Sequence, residues 1–188
     1  LSIVPRPEDD DWTNSVINHI DSDKSIKLIS LENNHWTDGG LLDLPQISNH
    51  IKGKNIKLLV DGTQSVGALP TDIQKMNPDF LVVSGYKWLL GPYNLGFCYI
   101  SPEYHEDGQP LEHWWASKID SIDVTSLHTY PQEFLQGARK FDFGHRGNFH
   151  LLPPMINSLE QILDWRVENI YEYISNLNLQ IIDSVNSL

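Results

Sequence analysis

Two residues of opposite charge, Asp61 and Lys87, each follow a short apolar run of the sequence. Residues 56–60 read IKLLV and lead into Asp61, and residues 79–84 read DFLVVS and end shortly before Lys87. Such runs are typical of parallel strands that are buried on both faces. The chain between them is longer than the dozen or so residues that a parallel crossover needs. If the two strands are neighbours, Asp61 and Lys87 lie at the carboxyl edge of the sheet, where open α/β sheets bind ligands.

A lysine and a carboxylate at this edge suit one kind of chemistry. Burial disfavours the charged form of a lysine, and an uncharged amine can form a Schiff base with an aldehyde. A neighbouring carboxylate can keep a pyridine nitrogen protonated, which makes the ring the electron sink that pyridoxal phosphate chemistry requires. In the alternative interpretation Asp61 caps the following turn and Lys87 is solvated. The spacing alone favours this second interpretation.

The elements that would position these residues follow from the apolar spacing along the chain. A helix is predicted after the acidic residues 9–11, because Trp12, Val16 and Ile20 fall on one helical face. The remaining predictions are a strand at 25–31, a short helix at 45–50, a turn and a short helix broken by Pro70 within 64–76, a third strand at 96–100, an irregular aromatic-rich stretch at 101–135, and one long helix from about 159 that frays or bends near 176–178.

Composition limits the classes of function. The 188 residues are 40% apolar and 20% charged, which is typical of one folded domain. The net charge of -12 excludes the basic footprint of a nucleic-acid-binding protein. No apolar run approaches the length of a membrane span, and no Cys/His spacing indicates a metal site. Cys98, the single cysteine, is expected in the core of its strand, and a reducing, cytoplasmic location is predicted.

The segment VDGTQSVGALPTDIQKMNPDFLVVSGYKWLLGPYNLGF resembles the cofactor segment of class V pyridoxal phosphate (PLP) enzymes. This group includes cysteine desulfurases, kynureninases and isopenicillin N epimerase-like proteins. The resemblance extends from HWTDG at His35 to FDFGHRGNFHLLP, which ends at Pro153. It implies an α/β fold: the central part of the large domain of a fold type I PLP-dependent transferase, with a mostly parallel sheet flanked by helices and an antiparallel strand at 96–100.

The resemblance also implies roles for individual residues. Lys87 would form the Schiff base with PLP and move protons at the substrate α-carbon. Asp61 would pair with the pyridinium nitrogen, and Gln64 would approach the phenolic oxygen. Ser84 and Tyr86 would bind the phosphate through their hydroxyl groups.

Four further residues are assigned to the cofactor by the same resemblance. Trp36 and Thr37 match a loop near the edge of the cofactor. Arg146 and Asn148 lie in the stretch 144–148 (GHRGN), which in relatives contacts the phosphate of the neighbouring subunit. Arg146 is either a bidentate anion contact or an ordinary interface ion pair, and both readings stay open.

Relatives of this kind begin before Leu1 and continue beyond Leu188. Residues 1–158 are therefore expected to be part of the PLP-binding large domain, and 159–188 a long helix that leads towards a small domain. The parts outside would supply the backbone turn that binds the phosphate, the aromatic ring that stacks on the cofactor, and the arginine that binds the substrate carboxylate.

Three functions are compatible with these observations. The first is a PLP-dependent transferase or lyase that acts on an amino acid as part of a homodimer, with neither metal nor nucleic acid nor membrane as a partner. The alternative is a truncated or decayed remnant of a class V aminotransferase that keeps the fold without independent activity. An interaction module that uses the aromatic loop is the third, but it leaves Asp61 and Lys87 unexplained.

Overall fold

The computed structural model describes residues 1–112, 114–121, 123, 125, 128–129, 132–144 and 148–188. The chain divides into two compact units. The first comprises residues 1–98 and 151–188, and the second comprises residues 99–150.

A four-stranded sheet organises the fold. Its strands are β1 (Leu28–Glu32), β2 (Lys57–Asp61), β3 (Phe80–Ser84) and β4 (Gly96–Ile100), and they lie side by side in the order β1-β2-β3-β4. The first three strands are parallel, with Glu32 opposite Asp61 and Asp61 opposite Val82. The sheet is mixed, so β4 is the antiparallel strand, as predicted. The carboxyl ends of β1, β2 and β3 therefore meet at one edge.

Within the described ranges, five α-helices accompany the sheet: α1 (Trp12–Ser22), α2 (Leu44–Ile51), α3 (Ile73–Met76), α4 (Leu152–Trp165) and α5 (Val167–Asn186). The first three begin at aspartates, Asp11, Asp43 and Asp72, whose carboxylates accept backbone N–H groups of the first turn. An aspartate cap satisfies donors that the helix itself leaves unpaired and interacts favourably with the helix dipole. None of the helices in the described ranges has the length and apolar character needed to cross a bilayer.

The core of the first unit lies on one face of the sheet. Along β2 and β3 burial alternates, with Leu58, Val60, Leu81 and Val83 buried, whereas Val82 is 37% exposed. The predicted parallel arrangement is confirmed, but the predicted burial of both faces is wrong. The inward-facing side chains of α1 and α2 complete the core: Trp12, Val16, Ile20, Leu44, Ile47 and Ile51.

Cys98 is not the core residue that the sequence suggested. It lies in the middle of β4 and is exposed. Three of the five residues of this strand, including Phe97, are exposed. The apolar run GFCYI therefore does not mark a buried strand. Partial burial of the sulfur still raises the pKa of the Cys98 thiol, which disfavours the reactive thiolate at neutral pH.

The predicted single long helix near the carboxyl terminus is wrong. The structure has two helices, α4 and α5, separated at Arg166, whose φ of 64° interrupts the helical backbone. α5 continues through residues 176–178, so the helix does not fray there, and a bend at these residues stays a prediction. The apolar spacing runs on across Arg166, so the pattern could not reveal the break.

The second unit contains short 3-10 turns at Pro102–Tyr104, Trp115–Ser117 and Gly137–Phe141. Two lysines are almost completely buried in it. The amine of Lys118 donates to the Gln132 carbonyl oxygen at 2.7 Å, and the amine of Lys140 donates to the Glu106 carbonyl oxygen at 2.9 Å. These hydrogen bonds offset part of the cost of removing an ammonium group from water.

Candidate functional site

The ends of β2 and β3 are joined by one threonine. The Oδ1 atom of Asp61 accepts the backbone N–H of Thr63 at 2.9 Å. The Oγ1 atom of Thr63 accepts the backbone N–H of Ser84 at 3.1 Å, and its hydroxyl donates to Ser84 Oγ at 3.4 Å. Asp61 is exposed and Ser84 is half-buried. A carboxylate and two hydroxyl groups are thus held together at the carboxyl edge of the sheet.

Gln64 lies in the turn that follows Asp61. This turn is closed by the Gly62 carbonyl, which accepts the N–H groups of Ser65 at 3.0 Å and Val66 at 2.8 Å. The side chain of Gln64 is half-buried. The close spacing of Asp61 and Gln64 therefore places both on one short, hydrogen-bonded segment at the edge.

Lys87 lies in the turn three residues beyond the end of β3. The Lys87 carbonyl accepts the N–H of Leu90 at 2.9 Å, and the Gly85 carbonyl accepts the N–H of Gly91 at 2.8 Å. These bonds fix the backbone on both sides of the lysine. Lys87 is half-buried, so it is less enclosed than the desolvation argument assumed, and part of it stays in contact with solvent.

The turn of Lys87 is packed directly against the turn that follows Asp61. Gly67 has a φ of 99°, and a Cβ atom added to it would lie 2.7 Å from the Trp88 carbonyl oxygen. Only glycine fits such a close approach of two backbones. The residue next to Lys87 is therefore in contact with the segment that carries Asp61 and Gln64.

Tyr86 extends from the same turn and is 40% exposed. Its ring stacks on Tyr93, with the ring centroids 4.4 Å apart and an angle of 18° between the planes. Stacking restrains the ring and thereby limits the positions of its hydroxyl group. The sequence does not single out Tyr93, because aromatic residues are frequent in this stretch and nothing in the spacing marks the pair.

Trp36 and Thr37 lie in the loop that follows the carboxyl end of β1, which is the same edge of the sheet. Both are exposed, Trp36 to 70%. Backbone hydrogen bonds between His35 and Gly40 and between Asn33 and Leu42 close the loop. The structure thus brings the loops after three neighbouring strands to one edge.

Two further predicted residues, Arg146 and Asn148, belong to the stretch 99–150. Arg146 lies outside the described residues. Asn148 is half-buried in the unit of residues 99–150. The assignment of both to the cofactor stays a prediction.

The donor set at the edge fits pyridoxal phosphate. An amine for the aldehyde, a carboxylate for the ring nitrogen and hydroxyl groups for phosphate oxygens are the groups this cofactor requires, and Lys87, Asp61, Ser84 and Tyr86 provide them. Thr63 was missed in the sequence, although a hydroxyl residue two positions after a strand-ending aspartate is itself a signal for an Asx turn. Within the described residues, no three His, Cys, Asp or Glu side chains are grouped to hold a metal ion.

Comparisons with known proteins agree with this chemistry. A family model described as aminotransferase class V matches residues 6–140. An uncharacterised aminotransferase of Schizosaccharomyces pombe is 27% identical over 169 residues, which are 88% of this chain and 42% of the relative.

Solved structures share the fold. The apo cysteine desulfurase of Thermococcus onnurineus NA1 has a TM-score of 0.76 at 21% identity, over 95% of this chain and 43% of its own. A C-DES variant with glycine covalently linked to its PLP cofactor has a TM-score of 0.74 at 22% identity, over 86% of this chain and 41% of its own. These likenesses confirm the predicted α/β fold of PLP enzymes. The chain spans less than half the length of these three proteins.

Proposed function

Since the chain belongs to the aminotransferase class V family, we propose that it carries the cofactor site of a PLP-dependent transferase or lyase that acts on an amino acid. One observation supports this most directly. Asp61 and Ser84, at the ends of parallel neighbouring strands, are joined through Thr63, and the turn of Lys87 follows Ser84. The two groups of opposite charge that the sequence singled out thus belong to adjoining segments of one edge.

Each side chain at the edge has a separate task in this proposal. Lys87 would hold the cofactor through its amine and would take the proton from the substrate α-carbon. Asp61 accepts a hydrogen bond from the protonated ring nitrogen. When bound, the cofactor supplies an electron sink for the charge that this proton leaves behind.

The remaining residues orient the cofactor. Ser84 and Tyr86 donate to phosphate oxygens, Gln64 approaches the phenolic oxygen, and Trp36 and Thr37 border the ring. Homodimer formation, with Arg146 and Asn148 reaching the phosphate of the partner, and a cytoplasmic location belong to the same proposal. Transamination, racemisation, elimination and desulfuration all begin with loss of the α-proton, so these residues do not choose among them.

The alternative is a chain that holds the cofactor site but does not turn over substrate. Cofactor attachment and turnover are therefore separate questions.

Attachment is tested by adding PLP to the chain, recording the visible absorbance band, and then reducing with borohydride before peptide mass spectrometry. We expect a band and a label on Lys87, and Lys87→Ala should lose both. Lys75→Ala is the matched control, because Lys75 is a highly exposed lysine of α3 and its removal should change neither. Labelling that is spread over exposed lysines and unaffected by Lys87→Ala would contradict the proposal.

Turnover is tested with the same PLP-loaded chain and a panel of amino acids. Loss of the α-proton is followed by exchange with deuterium from the solvent, which reports the step shared by all candidate reactions. Deuterium exchange that disappears in Lys87→Ala supports the proposal that the chain is an enzyme. Specific attachment without exchange supports the alternative.

A further inference from the structure

The loop between β1 and α2 contains a carboxylate with an unusually complete set of contacts. The Oδ1 atom of Asp38 accepts the backbone N–H of Gly40 at 2.9 Å and lies 3.0 Å from Nδ1 of His35. The Oδ2 atom accepts the Nε1–H of Trp12 at 3.3 Å and lies 3.4 Å from Nε of Arg6. The side chain of Asp38 is only 9% exposed. Asp38 is therefore the centre of a small, fixed network.

These contacts determine which nitrogen of His35 carries a proton. The Gly40 N–H, as the largest cause, lowers the pKa of the Asp38 carboxyl, with further contributions from His35 and Trp12. An ionised carboxylate can only accept, so His35 Nδ1 must be the donor. The imidazole ring is also stacked on Trp12, with the centroids 4.4 Å apart and 23° between the planes, which restrains its orientation.

The proton on Nδ1 in turn fixes the hydroxyl group of Thr37. The Oγ1 atom of Thr37 lies 2.9 Å from the same Nδ1 atom. A nitrogen that carries a proton cannot accept one, so Thr37 Oγ1 is an acceptor in this contact, and Nδ1–H is shared between Asp38 and Thr37. In the part of the chain that the structure describes, the Thr37 hydroxyl has no acceptor for its own proton, and Thr37 is exposed.

The position of the loop indicates a role for the proton of the Thr37 hydroxyl group. The loop follows the carboxyl end of β1, whose last residue, Glu32, lies opposite Asp61 in the parallel pair. We propose that Asp38 and His35 are positioning residues that hold the Thr37 hydroxyl as a hydrogen-bond donor towards an anionic oxygen of the group bound at this edge. The inference rests on the proposed function for the identity of that group, PLP, and on the loop geometry for the direction of the hydrogen bonds.

The first test measures the tautomer of His35 without any cofactor. The imidazole of the ¹⁵N-labelled chain is observed by NMR and assigned by comparison with His35→Gln. We expect the Nδ1–H form in the wild type and in Thr37→Val. Asp38→Leu should convert His35 to the Nε2–H form, because it removes the carboxylate that accepts the Nδ1 proton and leaves Nδ1 free to accept from Thr37. Thr37 would then donate to His35 and lose its outward donor.

The second test measures the dissociation constant of PLP. Thr37→Val should weaken binding about tenfold, the typical effect of losing one hydrogen bond to an anion. Asp38→Leu should weaken it by a similar factor, and the double variant should bind no more weakly than Thr37→Val. That non-additivity is the signature of a residue that acts through another. Thr37→Ser should restore binding.

Arg6→Gln is the matched control, because Arg6 contacts Oδ2 of Asp38 and not the oxygen that faces His35. It should preserve both the tautomer and the affinity. An Nε2–H tautomer in the wild type overturns the inference, and so does additive weakening in the double variant. If the wild type binds no PLP, the proposed function fails, while the tautomer measurement still decides for or against the oriented Thr37 hydroxyl.

Discussion

The hydroxyl oxygen of Thr63 accepts a hydrogen bond from the backbone N–H of Ser84 at 3.1 Å. Ser84 is the last residue of β3, and Thr63 follows the last residue of β2 by two positions. The contact continues the pairing of the two strands beyond the regular ladder, which itself ends with the Gly62 N–H bonded to the Val82 carbonyl at 2.9 Å. The contact between Thr63 and Ser84 therefore limits the separation of the segments that carry Asp61 and Lys87.

Replacing Thr63 with valine should destabilise the fold and loosen the site. Valine keeps the shape but leaves the N–H of half-buried Ser84 without its acceptor, which costs about 1–3 kcal/mol. Urea denaturation followed by tryptophan fluorescence measures this loss. Thr63→Ser retains the hydroxyl group, so its free energy of unfolding should be close to that of the wild type. Equal stability of the valine and serine variants would show that the contact carries no free energy.

The sequence predicted the parts of the fold that depend on local patterns. Short apolar runs ending in Asp61 and Ser84 predicted the parallel strands, and the aspartate before Trp12 predicted the start of α1. The family motif predicted the fold as a whole. These features depend on residue type and spacing, which a sequence displays directly.

The sequence could not predict features that depend on three-dimensional surroundings. Lys87 is only half-buried and Cys98 is exposed, because exposure depends on which other segments cover a strand end or a strand. The positive φ of Arg166 breaks a helix without any glycine or proline to mark it. The shared contact of His35 with Asp38 and Thr37 needs side-chain directions, which the letters HWTDG do not contain.

Gly67→Ala should be among the most damaging small substitutions in the first unit. The new methyl group would lie 2.7 Å from the Trp88 carbonyl oxygen, and the φ of 99° is unfavourable for any residue with a Cβ. Gly53→Ala is the matched control, because Gly53 also has a positive φ, 78°, but no atom within 4 Å of the added carbon. We expect Gly67→Ala to cost about 1–3 kcal/mol more than Gly53→Ala in urea denaturation.

The affinity for PLP provides an independent check on Gly67. Relief of the clash must separate the turn of Lys87 from the turn of Asp61, so Gly67→Ala should weaken PLP binding even where the chain remains folded. Gly53→Ala should bind as the wild type does. Unchanged affinity in a destabilised Gly67→Ala chain would mean that the two turns do not need to stay in contact.

Asp21 should make stability depend on pH in the acid range. Its Oδ1 atom lies 2.9 Å from the Lys54 amine and 3.0 Å from His50 Nε2, which joins α1 to the end of α2. The hydrogen bond from Lys54, followed by that from His50, lowers the pKa of the Asp21 carboxyl from 3.8 to about 2. Because the folded pKa is the lower one, this stabilisation is fully present above pH 3.8 and is lost as the pH falls towards 2.

Comparison with Asp21→Asn isolates this contribution. The difference in unfolding free energy between the wild type and Asp21→Asn should shrink as the pH falls from 3.8 towards 2. It should also shrink with added salt, since Asp21 is partly exposed. Asp164→Asn removes the same charge from an exposed position of α4 and serves as the control. A difference that grows as the pH falls would contradict the assignment.

Lys118 should be important for the stability of the second unit. It is 3% exposed, its amine donates to the Gln132 carbonyl at 2.7 Å, and it lies 3.4 Å from the centroid of the Phe134 ring. Lys118→Met keeps an apolar stem but removes the donor and the cation–π contact, which together cost about 1–3 kcal/mol.

Hydrogen exchange by mass spectrometry should then show faster exchange within residues 99–150 and little change in β2. Lys24→Met is the control, because the side chain of Lys24 is 78% exposed. It should leave the rate of hydrogen exchange unchanged in both regions. Unaltered exchange in Lys118→Met would mean that the buried amine is dispensable for holding this unit together.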